Sequence, residues 1–89
     1  VLNIFKVQGV SMLPSLKPRQ RVLSIATKKI KKDDLVIIKD SSDNKLIKRV
    51  SWIVNEKIKL ISDNKNYPSS KTEIIFDSKD LIGKVILKF

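Results

Sequence analysis

The chain has 89 residues, of which 42% are apolar and 31% charged, and 19 Lys+Arg against 9 Asp+Glu give a formal net charge of +10. That balance is ordinary for a globular protein, and a chain this long buries roughly two-thirds of its unfolded surface, enough for one modest core. His and Cys are both absent, which excludes Ser-His-Asp and Cys-His hydrolysis, thiol redox chemistry, disulfides and the common zinc-ligand sets. Any catalysis must therefore use hydroxyls, carboxylates or lysine, and no metal or organic cofactor is expected.

No apolar run approaches the ~18 residues of a membrane span, and no secretory leader pattern is present. The expectation is one domain over residues 1–89 without a membrane anchor, cytoplasmic by default. Val1 in place of Met leaves room for an upstream segment. The positive charge fits an acidic partner, nucleic acid or an anionic membrane surface. However, Arg occurs only at Arg19, Arg21 and Arg49, and scattered lysines read more simply as composition than as a nucleic-acid footprint.

Val1 to Val7, β-branched and aromatic and ending before Gly9, reads as a first strand. Ser11 at a cap position and Pro14 in the first turn predict a one-turn helix to Leu16. Arg21 to Thr27 and Leu35 to Lys39 follow as strands, separated by the charged turn at Lys31-Lys32-Asp33-Asp34. Lys45 to Val54 is the longest strand, with Leu46, Lys48, Val50, Trp52 and Val54 on one face.

Ile58 to Ser62 pairs with it. A three-residue turn at Asn55-Glu56-Lys57 would set Val54 opposite Ile58, Trp52 opposite Leu60 and Lys48 opposite Asn64, whereas a one-residue slip would oppose Trp52 to a lysine. In this reading Trp52 belongs to the core. Asp63 to Lys71 is a polar loop, Glu73 to Phe76 a short strand, and Leu81 to Phe89 the last strand. The class is mainly β, a small coiled antiparallel sheet or partial barrel.

With His and Cys excluded, a hydroxyl can be activated by lysine only if that lysine is desolvated, since its ordinary pKa of about 10.4 leaves it protonated at neutral pH. Lys48 stands in an apolar row, and lowering its pKa to ~8 would raise the neutral fraction at pH 7 about two hundredfold. It is the best general-base candidate of the 16 lysines. The alternative is a snorkelling side chain on an edge strand, and Ser11 has its own alternative as a helix cap.

Taken in order, Gln8-Gly9-Val10-Ser11-Met12-Leu13-Pro14-Ser15-Leu16, Arg21-Val22-Leu23, Asp34-Leu35-Val36, Ile47-Lys48-Arg49-Val50, Ser62-Asp63-Asn64 and Ile82-Gly83-Lys84-Val85 resemble the conserved boxes of the signal peptidase I family of serine proteases. The resemblance spans nearly the whole chain. It implies the catalytic core shared with LexA-type self-cleaving repressors, Ser11 as nucleophile and Lys48 as general base. Pro14 and Ser62-Asp63-Asn64 favour the signal peptidase branch. Brevity and the missing anchor bring the chain closest to the proteases that mature nickel-type superoxide dismutase by removing an N-terminal leader. The partner implied by the resemblance is thus a leader-bearing precursor, such as that dismutase.

Departures from the family pattern fall at turns: Arg19-Gln20 replaces Gly-Asp, and Asp33 replaces Gly. The Asp-Ser-Arg that follows Asp-Asn in the family is also missing, so a hydroxyl orienting Lys48 would come from Ser69 or Ser70, with Asn64 in support. Gly9 offers no side-chain hydroxyl, which leaves the Ser11 backbone amide to stabilise the oxyanion. Met12 would line the substrate pocket or pack in the core. Two other classes remain: a LexA-type domain using the same pair in cis, and a basic β module binding nucleic acid. The second is disfavoured by 6% aromatic residues and by Trp52 reading as buried.

Overall fold

The computed structural model describes residues 1–66 and 75–89. Seven strands, β1 (Leu2–Lys6), β2 (Arg21–Ile25), β3 (Leu35–Lys39), β4 (Lys45–Val54), β5 (Lys57–Ile61), β6 (Ile75–Asp77) and β7 (Leu81–Lys88), form one antiparallel sheet. Their spatial order is β1-β2-β7-β3-β4-β5-β6, so the sheet is mainly β and open, with β1 and β6 at its edges. The last strand in sequence fills the gap between β2 and β3. A 3₁₀ turn, Ser78–Asp80, leads into it.

Burial explains this order. Val36, Ile37 and Ile38 of β3 are all fully buried, which requires cover on both faces of the strand. Val36 and Ile38 join Val50, Ile58, Leu60, Phe76 and Leu81 in one cluster, while Ile37 points the other way into a second cluster with Val7, Met12, Leu16 and Val22. The coil of the sheet wraps both cores around β3.

The β4–β5 hairpin differs from the sequence-based register. Its turn has two residues, Asn55 and Glu56, with Asn55 in the left-handed region at φ 56°, a conformation that Asn tolerates. Val54 therefore faces Lys57, and Trp52 faces Lys59. A bulge at Ser51 then shifts the pairing, so that Val50 meets Leu60 and Arg49 meets Ile61. Because an inserted residue reverses the facing of everything beyond it, Ile53 packs against the core and Trp52 turns outward, 38% exposed. Alternation alone assigned Trp52 to the core, and the bulge overturns that.

After β1 the chain forms consecutive turns in place of a regular one-turn helix, with one helical-type bond from Leu16 N to Met12 O at 2.9 Å. Arg19 and Asp33 adopt φ of 72° and 75°. These are two of the positions where glycine was expected, and the backbone keeps the glycine-type conformation without the glycine. Gly83 serves a different need, since a Cβ there would lie 2.6 Å from the Ile25 carbonyl oxygen where β7 crosses β2.

Gly83→Ala is therefore expected to destabilise the fold by about 1–3 kcal/mol through backbone displacement. Arg19→Gly is expected to raise stability by a few tenths to about 1 kcal/mol, because relief of left-handed strain exceeds the added chain entropy. Thermal unfolding followed by circular dichroism measures both.

Candidate active site

The turn carrying Ser11 is held from two sides. Met12 and Leu16 are essentially fully buried in the second core cluster, and burying each contributes about 1.5–3 kcal/mol to anchoring the turn. From the other side, Asn64 donates its backbone N–H to the Ser11 carbonyl at 2.8 Å and its side-chain amide to the Val10 carbonyl at 2.9 Å. Met12 also borders the groove described below, so its expected pocket and core positions coincide.

Lys48 comes from β4, opposite Val36 of β3. It is only 5% exposed, and burial pushes its amine below the ordinary lysine value. The Nζ donates to Ser11 Oγ at 2.9 Å and to Ser62 Oγ at 3.0 Å. The structure thus brings together the two side chains that the sequence pairs as nucleophile and base, 37 residues apart.

Ser62 is the residue that sequence reasoning assigned no role. Its signal lies in the bulge: with Arg49 opposite Ile61, the next pair along the hairpin is Lys48 and Ser62, not Lys48 and Asn64. The two hydroxyls proposed from sequence, Ser69 and Ser70, lie outside the described residues. Asn64 holds the serine turn and makes no contact with the lysine amine.

The next residue of each strand extends the arrangement. Arg49 pairs with Asp63 through Nε to Oδ1 at 2.8 Å and Nη2 to Oδ2 at 2.7 Å, a two-pronged contact. Its Nη1 donates to the Asp33 carbonyl at 2.8 Å, and Nη2 lies 3.5 Å from Ser15 Oγ. One guanidinium therefore ties β4 to the loop carrying Ser62 and Asn64, to the turn before β3 and to the serine turn. The Arg49 hydrogen bond holds the Asp63 carboxyl below its usual range despite desolvation, and Asp63 in turn raises Arg49.

The serine and lysine open into a groove of about 660 Å³, also bordered by Ile4, Phe5, Lys6, Leu46 and Ile47. Among the described residues, β1 pairs only with β2, and β4 pairs with β5 only from Arg49 onward. Two open strand edges therefore border the groove. Lys45 reaches from one to the other, its Nζ 5.4 Å from the centre of the Phe5 ring. The Ser11 backbone N–H has no acceptor among the described residues. Those residues also hold no cluster of metal-binding side chains and no helix long and apolar enough to cross a membrane.

A serine hydroxyl within hydrogen-bond reach of a buried lysine, on an antiparallel sheet, is the arrangement of serine peptidases in which lysine replaces histidine. A family model described as Peptidase S24-like matches residues 2–86, and the chain belongs to that family of serine peptidases and LexA-type self-cleaving domains. Comparison with curated proteins finds no match.

The depressed Asp63 pKa makes the arginine clamp pH-dependent. An unfolded Asp titrates near ~3.9, so the clamp contributes fully above that value and its contribution is lost as pH falls through the lower folded value. Asp63→Asn is expected to cost about 2 kcal/mol at pH 7. Urea unfolding should show the gap between wild type and Asp63→Asn closing below about pH 4.

Proposed function

We propose that the protein is a serine endopeptidase that removes an N-terminal leader from a precursor in trans, with Ser11 as nucleophile and Lys48 as general base. The carrying observation is the 2.9 Å contact between the Nζ of the buried Lys48 and Ser11 Oγ. In its neutral form Lys48 takes the Ser11 proton while Oγ attacks the scissile carbonyl. The Ser11 amide faces the developing oxyanion, and the lysine ammonium then protonates the leaving amine. Water, deprotonated by the same lysine, releases the acyl group and regenerates Ser11.

Ser62 holds the amine in line with Ser11, and the Arg49–Asp63 clamp holds the loop bearing Ser62 and Asn64. Two open strand edges beside the pair support action in trans, since an extended segment can add to either edge and place its carbonyl at Ser11. Pro14 and Ser62-Asp63-Asn64 resemble the signal peptidase branch and favour a leader-bearing precursor, and the nickel-type superoxide dismutase precursor is the substrate that the chain's overall resemblance suggests. A LexA-type reaction in cis uses the same pair, and autocleavage would shorten the chain on incubation at high pH.

Incubation with the leader-bearing precursor, followed by intact mass spectrometry, tests the reading. Ser11→Ala and Lys48→Ala are each expected to lower cleavage by roughly a thousandfold or more. Lys48→Arg should not rescue, because guanidinium does not deprotonate. Ser62→Ala is expected to slow the reaction about tenfold, with Ser62→Thr retaining most of the rate. The wild-type rate should rise with pH through the lowered Lys48 pKa, as the neutral amine becomes populated. Folded Ser11→Ala and Lys48→Ala variants that cut as fast as wild type would sink the assignment.

A further inference from the structure

The charge of +10 is unevenly distributed. Residues 33–80 contain nine cations and nine acids, whereas residues 1–32 and 81–89 contain ten cations and no acid. The entire excess therefore belongs to the segments that build β1, β2 and β7, three neighbouring strands. A scattered composition would not divide along the sheet in this way.

These three strands also present an apolar face. Phe5, Val22 and Val85 point into the second core, so the alternate residues of β1 and β2 point outward, and a bulge at Ile86 of β7 turns Leu87 to the same side. Leu2 pairs with Ile25, Ile4 with Leu23, and Leu23 with Leu87. Leu2, Ile4 and Leu87 are 57%, 60% and 55% exposed, and Ile25 is also exposed. Lys6 and Arg21 pair at one end of this face. Lys17 and Arg19 stand exposed on the preceding turn, and Lys29, Lys31 and Lys32 follow β2; Lys28 is held by the Ser78 and Leu81 carbonyls and Lys84 by Asp34, so neither is free to serve this face.

We propose that this outer face of β1–β2–β7 docks on an anionic lipid bilayer surface. Aliphatic side chains at the centre enter the headgroup–acyl boundary, and the cations around them meet lipid phosphates, with no carboxylate in these segments to repel them. The long lysine stems suit this geometry, because they extend the charge to the headgroups while the stem stays apolar. The central side chains Leu2, Ile4, Leu23 and Leu87 are aliphatic and offer no stacking surface, which favours lipid over single-stranded nucleic acid. Ile4 and Lys6 also border the groove, so docking would bring the groove to the bilayer surface. The proposal does not depend on the peptidase reading.

Vesicle co-sedimentation tests it, using equal phosphatidylglycerol and phosphatidylcholine against phosphatidylcholine alone. Wild type is expected to bind the anionic vesicles at least about tenfold more tightly, with the preference shrinking at high salt. Leu2→Glu/Leu87→Glu, or Leu2→Ser/Leu87→Ser should the charged pair fail to fold, is expected to lose at least about tenfold in binding. Lys65→Gln/Lys79→Gln removes as much positive charge as the glutamate pair does but outside this face, and should stay within about twofold.

Equal binding to neutral vesicles would overturn the proposal, as would no binding or an equal loss in the Lys65/Lys79 control. A dimer seen by light scattering that the leucine variants dissolve would assign the face to a second copy. Tight binding of a single-stranded oligonucleotide abolished by the same variants would assign it to nucleic acid. Either result would also overturn the lipid reading.

Discussion

Keeping the Lys48 amine away from water is the constraint on which the site depends. An ammonium in an apolar setting loses hydration that few protein groups can replace, so the lysine must bind acceptors or give up its proton. Among the described residues the acceptors are two hydroxyls, Ser11 and Ser62, and no carboxylate contacts the amine. A carboxylate partner would favour the charged form and raise the pKa, whereas hydroxyls satisfy the amine without adding opposing charge. That choice leaves burial free to favour the neutral amine, the form in which a lysine can accept a proton.

The neighbouring residues divide the electrostatic work. Lys48 and Arg49 are adjacent on β4, as Ser62 and Asp63 are on the opposing segment. Strand alternation sends one member of each pair to opposite sides. Arg49 and Asp63 meet as a partly buried ion pair that organises four segments, while Lys48 and Ser62 meet as a polar pair carrying at most one charge. Placing the full charges one residue away lets the clamp be strong without drawing the Lys48 pKa back up. Asn64 continues the series by gripping the backbone of Val10 and Ser11. Three consecutive residues, Ser62, Asp63 and Asn64, thus bond successively to Lys48, to Arg49 and to the turn carrying Ser11.

Several departures from simple patterning have local physical causes. The bulge at Ser51 sends Trp52 outward and brings Ile53 in, and together with the two-residue turn it sets Ser62 across from Lys48. Arg19 and Asp33 occupy left-handed positions in tight turns whose neighbouring bonds, Arg19 N to the Val7 carbonyl and Asp33 N to the Val50 carbonyl, both at or below 2.9 Å, hold them there. The uneven charge leaves the acid-bearing half with the clamp and the lysine, and the acid-free half with the open edge strand β1.

The amino-acid sequence by itself determined the mainly β class, because β-branched runs between turn residues leave no amphipathic helix to form. It also brought Ser11 and Lys48 forward as a pair: the absence of His and Cys and the apolar row around Lys48 made that lysine the best candidate, and the resemblance to the signal peptidase I boxes joined it to Ser11. The strand boundaries of β3 and β4 were likewise legible from composition. Only the tertiary structure decided that β7 enters between β2 and β3, because strand order depends on which faces need cover. It alone identified Ser62 as the second hydroxyl and moved Trp52 to the surface. They follow from a two-residue turn and one bulged residue, and alternation has no local signal for a bulge, whose position is set by how two strands and two cores fit together.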